Sequence, residues 1–562
     1  MRYKNEDKVK SNGAVYTPYN LAHYTAKQIL TYKNLDNSET LDILDPAAGD
    51  GNLLIAMAEE IHLLYPEIKI NMIGYDTDLE ACKIGESKLS SISEYANAEY
   101  RNESFLDAIK NNSIEKFDIV IANPPYIRTQ ILGTDITQEL ANTLNLSGRI
   151  DIYYAFLVYT HKVLKANGIA GYITSNKFFT IKSGLSVRNF MLNNYRIHHL
   201  IDLGDTKLFN AAVLPCVMIF SSGCTNLAMD VKFSSLYESE KEGNIIIDDL
   251  LDALKSNGIY KCNGKNYDST IGHLSTAILD DPWTLATDKD SKWLKLVDNN
   301  TYKVFSDIGK IRVGIKTTAD NVFISDKWEG ANSEIELLKP LITHRNAGQI
   351  IPNPEENWQV LYTHEVLPNG KRAAINIENY PHAKKYLNEH REQLEGRSYV
   401  IKAKRQWYEI WVPQNPAQWS HKKIVFRDIS KEPQFWLDTS GAIVNGDCYW
   451  IDLNYDIPDD IIYLALAIAN SEFIEKFYDL KFNTKIYAGK RRYMSQYVEQ
   501  FPIPNPNTLE AKEIINLVSD IIHGNLEYKD IKPKIESLIY ILFSNEEPLV
   551  NEKKEEIQLE LF

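Results

Sequence analysis

The chain has few cysteines and no long apolar run, and both shortages exclude classes of protein. Five cysteines in 562 residues, with no C-x-x-C pair, argue against a disulfide framework or a structural zinc site, so we expect no metal. No apolar run of about 18 residues or more marks a membrane span, and the opening MRYKNEDKVKSNG lacks the apolar core of a signal peptide. We expect a cytoplasmic protein with no membrane partner.

The chain also lacks net positive charge, which bears on whether it binds nucleic acid. Its formal net charge is −15, whereas phosphate neutralisation needs clustered Lys and Arg. Two segments depart from this average: Arg397 to Arg427 has seven basic residues against one acid, and Lys476 to Arg492 has six against one. A solvated charged face would explain one such run. Two runs, both interleaved with aromatic residues, favour a basic cleft.

The length and the pattern of apolar segments predict several domains. Short apolar strands alternate with helical segments from about residue 12 to 235, which predicts an α/β domain with a mostly parallel sheet covered by helices. The last two of these strands, IHHLIDLG and LPCVMIFS, are close in sequence and suit an antiparallel edge. The predicted parts are an α/β domain (1–235), a connector (236–300), a tryptophan-rich α+β module (301–505), a helical segment (506–545) and a charged tail (546–562).

Two acidic loops follow the first two predicted strands. DILDPAAGDGNLL places Asp45 at a strand end, with Gly49 and Gly51 in the turn that opens a helix. Glycines there permit positive φ and a close ligand, and a helix N-terminus favours an anionic group. IGYDTD ends the second strand with Asp76, where an acid suits ribose hydroxyls, although a cap on the next helix is the alternative. Together the loops indicate a nucleoside ligand that carries a carboxylate.

The third motif, NPPY, comprises Asn123, Pro124, Pro125 and Tyr126 and follows the apolar run FDIVIA. Neither proline offers an N–H, and each biases the preceding residue towards an extended conformation, so the strand must stop there. The result is a stiff loop that holds one amide and one aromatic ring at the end of a buried strand. Ligands of open α/β sheets bind at such ends.

The order of GAVYTPYNLAHYTAKQIL, DPAAGDG, GYDTD and NPPY, followed by a large C-terminal module, resembles the γ-class DNA adenine-N6 methyltransferases, which include the TaqI modification enzyme. The resemblance covers nearly the whole chain, and its motifs are specific within the first 235 residues or so. It implies a Rossmann-like methyltransferase domain, a C-terminal target-recognition domain, S-adenosylmethionine as methyl donor and double-stranded DNA as substrate.

The resemblance also assigns the residues around the donor. In the family, the YTP motif lies against the methionine end, the glycine loop lines the amino-acid part, and the acid after the second strand binds the ribose. Ser104 stands where the family usually has an acid against the donor's adenine. Glu103 or Asp107 could take the place of that acid, and Phe105 is the apolar partner. The implied donor residues are Tyr16, Thr17, Pro18, Asp45, Ala47, Gly49, Gly51, Asp76 and Phe105. Thr17 followed by Pro18 is also an ordinary helix start.

The NPPY motif suits methyl transfer to an exocyclic amine. The adenine amino lone pair is delocalised into the ring, so acceptors such as the Asn123 side-chain oxygen and the Pro124 carbonyl would orient it and stabilise its developing charge. Tyr126 would stack on a base flipped out of the duplex. The resemblance places a second aromatic residue, Phe209, on the other face of the base, although a core position is the alternative. DIYYAFL, with Asp151, Tyr153 and Phe156, matches a family motif behind the donor pocket.

The C-terminal module would read the DNA. The predicted contacts with phosphates or base edges are Arg405, Trp407, Lys422, Lys423, Arg427, Lys490, Arg491 and Arg492. NPPY also occurs in RNA and protein-glutamine methyltransferases that use the same donor. The roughly 300 residues after the catalytic motifs favour DNA, which is a large substrate that is read for sequence.

Two further expectations concern partners. Because the methyltransferase motifs begin by residue 16 and no nuclease core is apparent, we expect modification without cleavage, with any cognate restriction enzyme encoded separately. The terminal QLELF resembles the peptide by which bacterial replication proteins bind the sliding clamp, through Gln558, Leu559, Leu561 and Phe562. The alternative is a chance apolar end to a helix.

Overall fold

A computed structural model of the chain divides into two compact units. It describes residues 16–35, 40–111, 114–126, 141–142, 151–208, 214–223, 231–274, 282–328, 334–354, 357–482 and 490–544. The described part of the first unit is residues 16–291 with 480–482, and that of the second is 292–479 with 490–544. No helix in these ranges is both long and apolar enough to cross a bilayer.

Eleven strands of the first unit form one sheet, in the order β3-β2-β1-β4-β5-β7-β6-β8-β11-β10-β9. The strands are β1 (Thr40–Asp45), β2 (Lys69–Tyr75), β3 (Ala96–Arg101), β4 (Phe117–Ala122), β5 (Leu164–Ser175), β6 (Tyr195–Asp202), β7 (Pro215–Ser222), β8 (Val231–Ser239), β9 (Ile245–Ile246), β10 (Gly258–Cys262) and β11 (Lys265–Leu274). Strands β1 to β5 are parallel to one another, as βαβ crossovers require. The predicted mostly parallel sheet is confirmed.

Helices cover both faces of this sheet. They are α1 (Tyr19–Thr31), α2 (Asn52–Leu64), α3 (Leu79–Leu89), α4 (Phe105–Lys110), α5 (Ile152–Val163) and α6 (Leu185–Asn194), with 3₁₀ turns at Ser90–Ile92, Asn176–Phe179, Lys182–Gly184 and Leu250–Lys255. Side chains alternate along β4: Ile119 and Ile121 pack into one apolar cluster, and Val120 and Ala122 into the other. Since both faces are buried there, β4 is apolar without interruption from Ile119 to Ala122.

The predicted connector at 236–300 needs correction, and the predicted antiparallel edge is right in its pairing but wrong in its position. Strands β8 to β11, which cover residues 231–274, extend the same sheet, so most of the supposed connector belongs to the first unit. Strands β6 and β7 are antiparallel as expected, but β7 lies between β5 and β6, and β8 extends the sheet beyond β6. Strands β3 and β11 are rich in polar residues and β9 is only two residues long, so they lack the apolar signal of the central strands.

The second unit contains several small sheets instead of one large one. Its main sheet has the order β13-β23-β19-β21 and is antiparallel. The strands of this unit are β12 (Lys303–Val304), β13 (Gly309–Val313), β14 (Ile324–Ser325), β15 (Leu338–Ile342), β16 (Gln359–Leu361), β17 (His364–Val366), β18 (Arg372–Ala374), β19 (Lys423–Arg427), β20 (Ile429–Ser430), β21 (Phe435–Asp438), β22 (Ile443–Val444), β23 (Cys448–Leu453), β24 (Arg491–Arg492) and β25 (Pro502–Ile503).

Helices of this part of the chain are mostly short, except near its end. They are α7 (Asp288–Asn299), α8 (Phe305–Ile308), α9 (Asp320–Phe323), α10 (Pro381–Glu389), α11 (Arg391–Glu395), α12 (Ser398–Lys402), α13 (Asp459–Ala469), α14 (Glu472–Phe482), α15 (Ser495–Val498), α16 (Leu509–Ile522) and α17 (Tyr528–Ser544), with 3₁₀ turns at His344–Asn346, Ile377–Asn379 and Pro416–Gln418. Helices α16 and α17 lie where the helical segment was expected, and α16 packs on α13.

A largely buried cluster of charges joins α14 to β24 in the second unit. Arg491 Nη1 lies 2.7 Å from Glu475 Oε2, and Arg491 Nε donates to Asp479 Oδ1 at 2.7 Å. Burial raises the pKa of Glu475 from 4.5 to about 7, although the Arg491 charge opposes this shift. The carboxylate therefore remains costly to ionise in the folded protein.

This shift predicts how stability depends on pH. From about pH 4.5 to about pH 7, folded Glu475 binds a proton that the unfolded chain releases, so its contribution to stability falls as pH rises. Glu475→Gln removes this titration. We expect the melting temperature of the variant, relative to wild type, to increase across that window. A pH-independent difference between the two proteins would contradict the burial effect.

Candidate active site

The glycine loop after β1 closes tightly against β3. Gly49 has φ +51° and Gly51 has φ +84°, both in the left-handed region that favours glycine. A Cβ at Gly51 would lie 2.9 Å from the Tyr100 hydroxyl, which itself donates to the Gly49 carbonyl at 3.3 Å. The loop leads directly into α2, with Gly51 as its N-cap. Both glycines are therefore required by the local geometry.

Asp45 is a buried acid with one unused oxygen. Its Oδ1 accepts from the Ala47 N–H at 3.0 Å, whereas its Oδ2 has no hydrogen-bond partner among the described residues. Burial, followed by the nearby charges of Asp76 and Asp50, raises the pKa of Asp45 well above its usual range. A buried acceptor in such an acidic surrounding suits a ligand that brings positive charge and N–H donors.

The two acids after β2 have different roles, which the sequence left open. Asp76 Oδ2 accepts from the Gly49 N–H at 2.8 Å, and its Oδ1 accepts from the Asp78 N–H at 2.8 Å. Asp78 is the helix cap, because its side chain accepts from the N–H groups of Glu80 and Ala81. Asp76 thus holds the glycine loop and also stands where an acid was expected to meet a ribose.

The NPPY amide lies directly beyond the end of β4. Asn123 Nδ2 donates to Thr17 Oγ1 at 3.0 Å, and the Tyr126 hydroxyl donates to Asn123 Oδ1 at 2.8 Å. The Tyr126 ring packs edge-on to Tyr153, with centroids 6.5 Å apart, and its burial raises its pKa well above the usual range. The amide therefore lies between two hydroxyl groups, and the phenol stays protonated.

Asn52, Lys88 and Tyr100 are site residues that the sequence did not reveal. Asn52 Nδ2 donates to the Thr17 carbonyl at 2.9 Å, and Lys88 Nζ donates to Asn52 Oδ1 at 2.9 Å and to Asp50 Oδ2 at 2.5 Å. Asn52 adjoins the glycine motif and could have been suspected for that reason. Lys88 and Tyr100 reach the loop only through the folding of α3 and β3, which no local pattern signals.

The structure brings five of the predicted residues, Tyr16, Thr17, Ala47, Gly49 and Asn123, to one pocket at the carboxyl edge of the sheet. Its lining residues are Tyr16, Thr17, Ala47, Ala48, Gly49, Asp50, Asn52, Leu53 and Asn123. Asp45, Gly51 and Asp76 support this lining from behind or beside it. Pro18 does not line the pocket but serves as the N-cap residue of α1.

Other predicted residues lie in the core instead. Phe105 is 2% exposed, and its ring stacks on Phe156 with centroids 5.7 Å apart, so the structure assigns it to the core and not to a ligand's adenine. Ser104 caps α4 by accepting from the Asp107 N–H. Tyr153 is buried in the same cluster. Phe209 lies outside the described residues, as do the tail residues Gln558, Leu559, Leu561 and Phe562.

Comparisons with known proteins place the chain in a family. The profile of the Eco57I restriction-modification methylase family matches residues 54–209, and that of the TaqI-like C-terminal specificity domain matches residues 369–503. Type II methyltransferase M.BanIII from Aneurinibacillus aneurinilyticus is 39% identical over 96% of this chain and 98% of its own length. The chain belongs to the type II DNA methyltransferases. The expected relationship to TaqI-type enzymes is confirmed.

Two further matches support this membership and the fold. Type II methyltransferase M.BstVI from Geobacillus stearothermophilus is 24% identical over 97% of this methyltransferase and 99% of its own length. The cryoEM structure of a DrdV–DNA complex aligns with a TM-score of 0.52 and 11% identity, over 95% of this methyltransferase and 59% of that chain. The second likeness shows a shared fold only.

Several side chains of the methyltransferase that were predicted to contact DNA make contacts with other residues of the second unit. Arg405 Nη1 donates to the Trp411 carbonyl at 2.6 Å, and its guanidinium lies 4.8 Å from that indole. Trp407 is half-buried beneath the guanidinium of Arg391. Lys422 is exposed and pairs with Asp459 at 2.7 Å. These groups hold local structure, and a contact with DNA by any of them stays a prediction.

The basic residues near β24 differ in how available their charged groups are for contact with DNA. Arg491 is mostly buried between carboxylates, whereas Arg492 is half-exposed and pairs with Asp428 through two bonds of 3.1 Å. Lys490 is exposed, and Arg427 forms no ion pair with any residue that the structure describes. Lys490, Arg427 and Arg492 are therefore the better candidates for DNA contact.

Lys423 was predicted to contact DNA, and the structure contradicts this prediction. Its side chain is fully buried, with Nζ 2.9 Å from Asp438 Oδ2 and donating to the Trp419 carbonyl at 2.7 Å. The pairing of β19 with β21 places Lys423 directly opposite Asp438. This ammonium group neutralises a buried acid and has no free path to a phosphate.

We expect Lys423→Met to lower the free energy of unfolding by about 3–5 kcal/mol, because it leaves Asp438 buried without its cation. Lys422→Met, the exposed neighbour, should change it by about 1 kcal/mol or less. Denaturant unfolding measures both values, and fluorescence anisotropy on labelled duplex measures DNA affinity. Weaker DNA binding by Lys423→Met at wild-type stability would restore the phosphate-contact interpretation.

Proposed function

We propose that this DNA methyltransferase moves a methyl group from S-adenosylmethionine to N6 of an adenine that has left the DNA duplex. The site-specific reaction modifies double-stranded DNA without cutting it, in the cytoplasm, and any cognate restriction enzyme is a separate protein. The RNA- and protein-modifying alternatives are not favoured, because relatives that match the whole chain are type II methyltransferases.

The observation that carries the proposal is the position of the Asn123 amide. It lies beyond β4 and shares the pocket with the glycine loop, and its orientation is restrained by two hydroxyl groups. A carbonyl oxygen has two lone pairs, so Oδ1 can accept an amino N–H beside the Tyr126 hydroxyl. The Pro124 carbonyl would accept the second N–H. Both bonds orient the nitrogen lone pair and stabilise the positive charge that develops on it.

The residues around the glycine loop fit the proposed donor. S-adenosylmethionine, when bound, supplies an electrophilic methyl group on a positively charged sulfonium. The buried, unpartnered Asp45 Oδ2 would accept from its ammonium group, and the acids Asp50 and Asp76 make the pocket attractive to both positive charges. Gly49 and Gly51 leave room for the donor's amino-acid part, and Asp76 would meet its ribose.

Base flipping explains the aromatic residue of the motif. The adenine amino group is paired inside a duplex, so the base must leave the stack before Asn123 can reach it, at a cost of a few kcal/mol. Stacking on Tyr126 would return about 1–3 kcal/mol of this cost. Phe209 is proposed for the opposite face. Cations of the second unit, such as the exposed Lys490 and Arg492 and the partly exposed Arg427, would hold the DNA backbone or reach base edges.

Sequencing of host DNA tests the reaction. We expect a methylation-free bacterial host that expresses the chain to carry N6-methyladenine at one recurring sequence, and an Asn123→Ala host to carry none. Immunoblots verify that both proteins are soluble. N4-methylcytosine at the recurring site, or no modified DNA despite soluble wild-type protein, would contradict the proposal.

Substitutions of the two acids after β2 should have different effects, one on donor binding and the other on stability. Asp76→Ala removes the acceptor of the Gly49 N–H and also the proposed acceptor of the ribose hydroxyls. A hydrogen bond to a charged group is worth about 1.5–3 kcal/mol, so loss of the ribose contact should lower donor affinity by about tenfold to a hundredfold. Asp78→Ala removes only the α3 cap and should cost about 1 kcal/mol of stability, with donor affinity unchanged. Calorimetric titration with S-adenosylmethionine measures both affinities. Equal affinities in the two variants would contradict this division of roles.

A further inference from the structure

Thr17 makes a tertiary contact that its place at a helix start does not require. A threonine before a proline commonly caps a helix, but the N-cap of α1 is Pro18, and no side chain caps that end. The Thr17 hydroxyl instead accepts from Asn123 Nδ2 at 3.0 Å, across 106 residues of chain. Thr17 is 6% exposed, so this bond is shielded from water.

Thr17 is itself held firmly in place. Its carbonyl accepts from Asn52 Nδ2 at 2.9 Å, and Asn52 Oδ1 accepts from Lys88 Nζ at 2.9 Å. Lys88 also pairs with Asp50 in the glycine loop at 2.5 Å. A continuous set of bonds thus runs from α3, through the first residue of α2, to the NPPY amide.

The amide needs such an anchor for the proposed chemistry. Rotation about the Asn123 Cβ–Cγ bond is soft, because terminal sp³–sp² torsions have broad minima. Oδ1 must nevertheless point at the reacting amine throughout the transition state, since the acceptor acts only when it is already aligned. A bond from Nδ2 to a fixed oxygen on the opposite side of the amide removes this freedom.

We propose that Thr17 is a positioning residue whose hydroxyl fixes the plane of the Asn123 amide, so that Oδ1 faces the target amine. The proposal rests on the proposed methyl transfer and deepens it. If Thr17 has this positioning role, loss of its hydroxyl should slow the chemical step and leave donor binding intact. If Thr17 only contacted the donor, the same loss would weaken donor binding.

The test compares three substitutions. Thr17→Val removes the hydroxyl at nearly constant volume, Thr17→Ser keeps it, and Thr25→Val is the matched control. Thr25 is a buried threonine of α1 whose hydroxyl donates to the Leu21 carbonyl of the same helix at 2.8 Å. Thr17→Ala replaces the valine variant if that protein does not fold.

Two quantities are measured for each variant, with thermal midpoints as a check of folding. Calorimetry gives the Kd for S-adenosylmethionine. Single-turnover assays at saturating donor, on unmethylated plasmid that carries the site found by sequencing, give the rate constant of methyl transfer. Misplacement of a reacting group by about 1 Å can cost about a hundredfold.

We expect the Thr17→Val rate constant to fall by about tenfold to a hundredfold with Kd within about threefold of wild type. Thr17→Ser should restore most of the rate, and Thr25→Val should match wild type. A raised Kd with an unchanged rate constant would overturn the proposal in favour of a donor contact. Equal loss in the serine variant would also overturn it. A wild-type enzyme that leaves adenine N6 unmethylated would refute the proposed function itself.

Discussion

The carboxyl ends of the parallel strands β2, β1 and β4 meet at one edge of the sheet, and the site depends on this coincidence. The register pairs Asp45 with Gly74 and Leu44 with Val120, so the loops that follow these strands begin side by side. Strands β1 and β4 are stopped there by residues that cannot continue them, namely a proline after Asp45 and two prolines after Asn123. The acids and the amide are therefore brought together by backbone geometry before any ligand binds.

The polar groups at this edge have distinct functions. Asp76 accepts from two backbone N–H groups and shapes the glycine loop, whereas Asp45 has one buried oxygen with no partner in the part of the chain that the structure describes. Natural proteins rarely leave a buried acceptor unsatisfied unless a ligand or water completes it. The same rule applies in the second unit, where the buried acid Asp438 is paired with the buried Lys423. Burial and hydrogen-bond or ion-pair partners, more than residue type, distinguish the residues of the site from those that stabilise the fold.

Much of the fold could be predicted from the sequence, since the strands buried on both faces are strongly apolar. The glycine loop and the NPPY turn were equally clear, because their backbone requirements leave a local signature. Strands β3 and β8 to β11 were missed, since β3, β8 and β11 mix many polar residues with apolar ones and β9 is only two residues long. The roles of Asp76 and Asp78 could not be told apart, because either acid can cap a helix. Lys423 was misassigned, as its partner Asp438 becomes adjacent only through strand pairing.

The central claim is that an acidic pocket at this edge presents a methyl donor to the Asn123 amide. A crystal structure of the protein with bound S-adenosylmethionine tests it most directly. We expect the ammonium group within hydrogen-bonding distance of Asp45 Oδ2, the ribose beside Asp76 and the methyl group facing Asn123. A donor bound away from the glycine loop, or with its methyl group turned from Asn123, would contradict the claim.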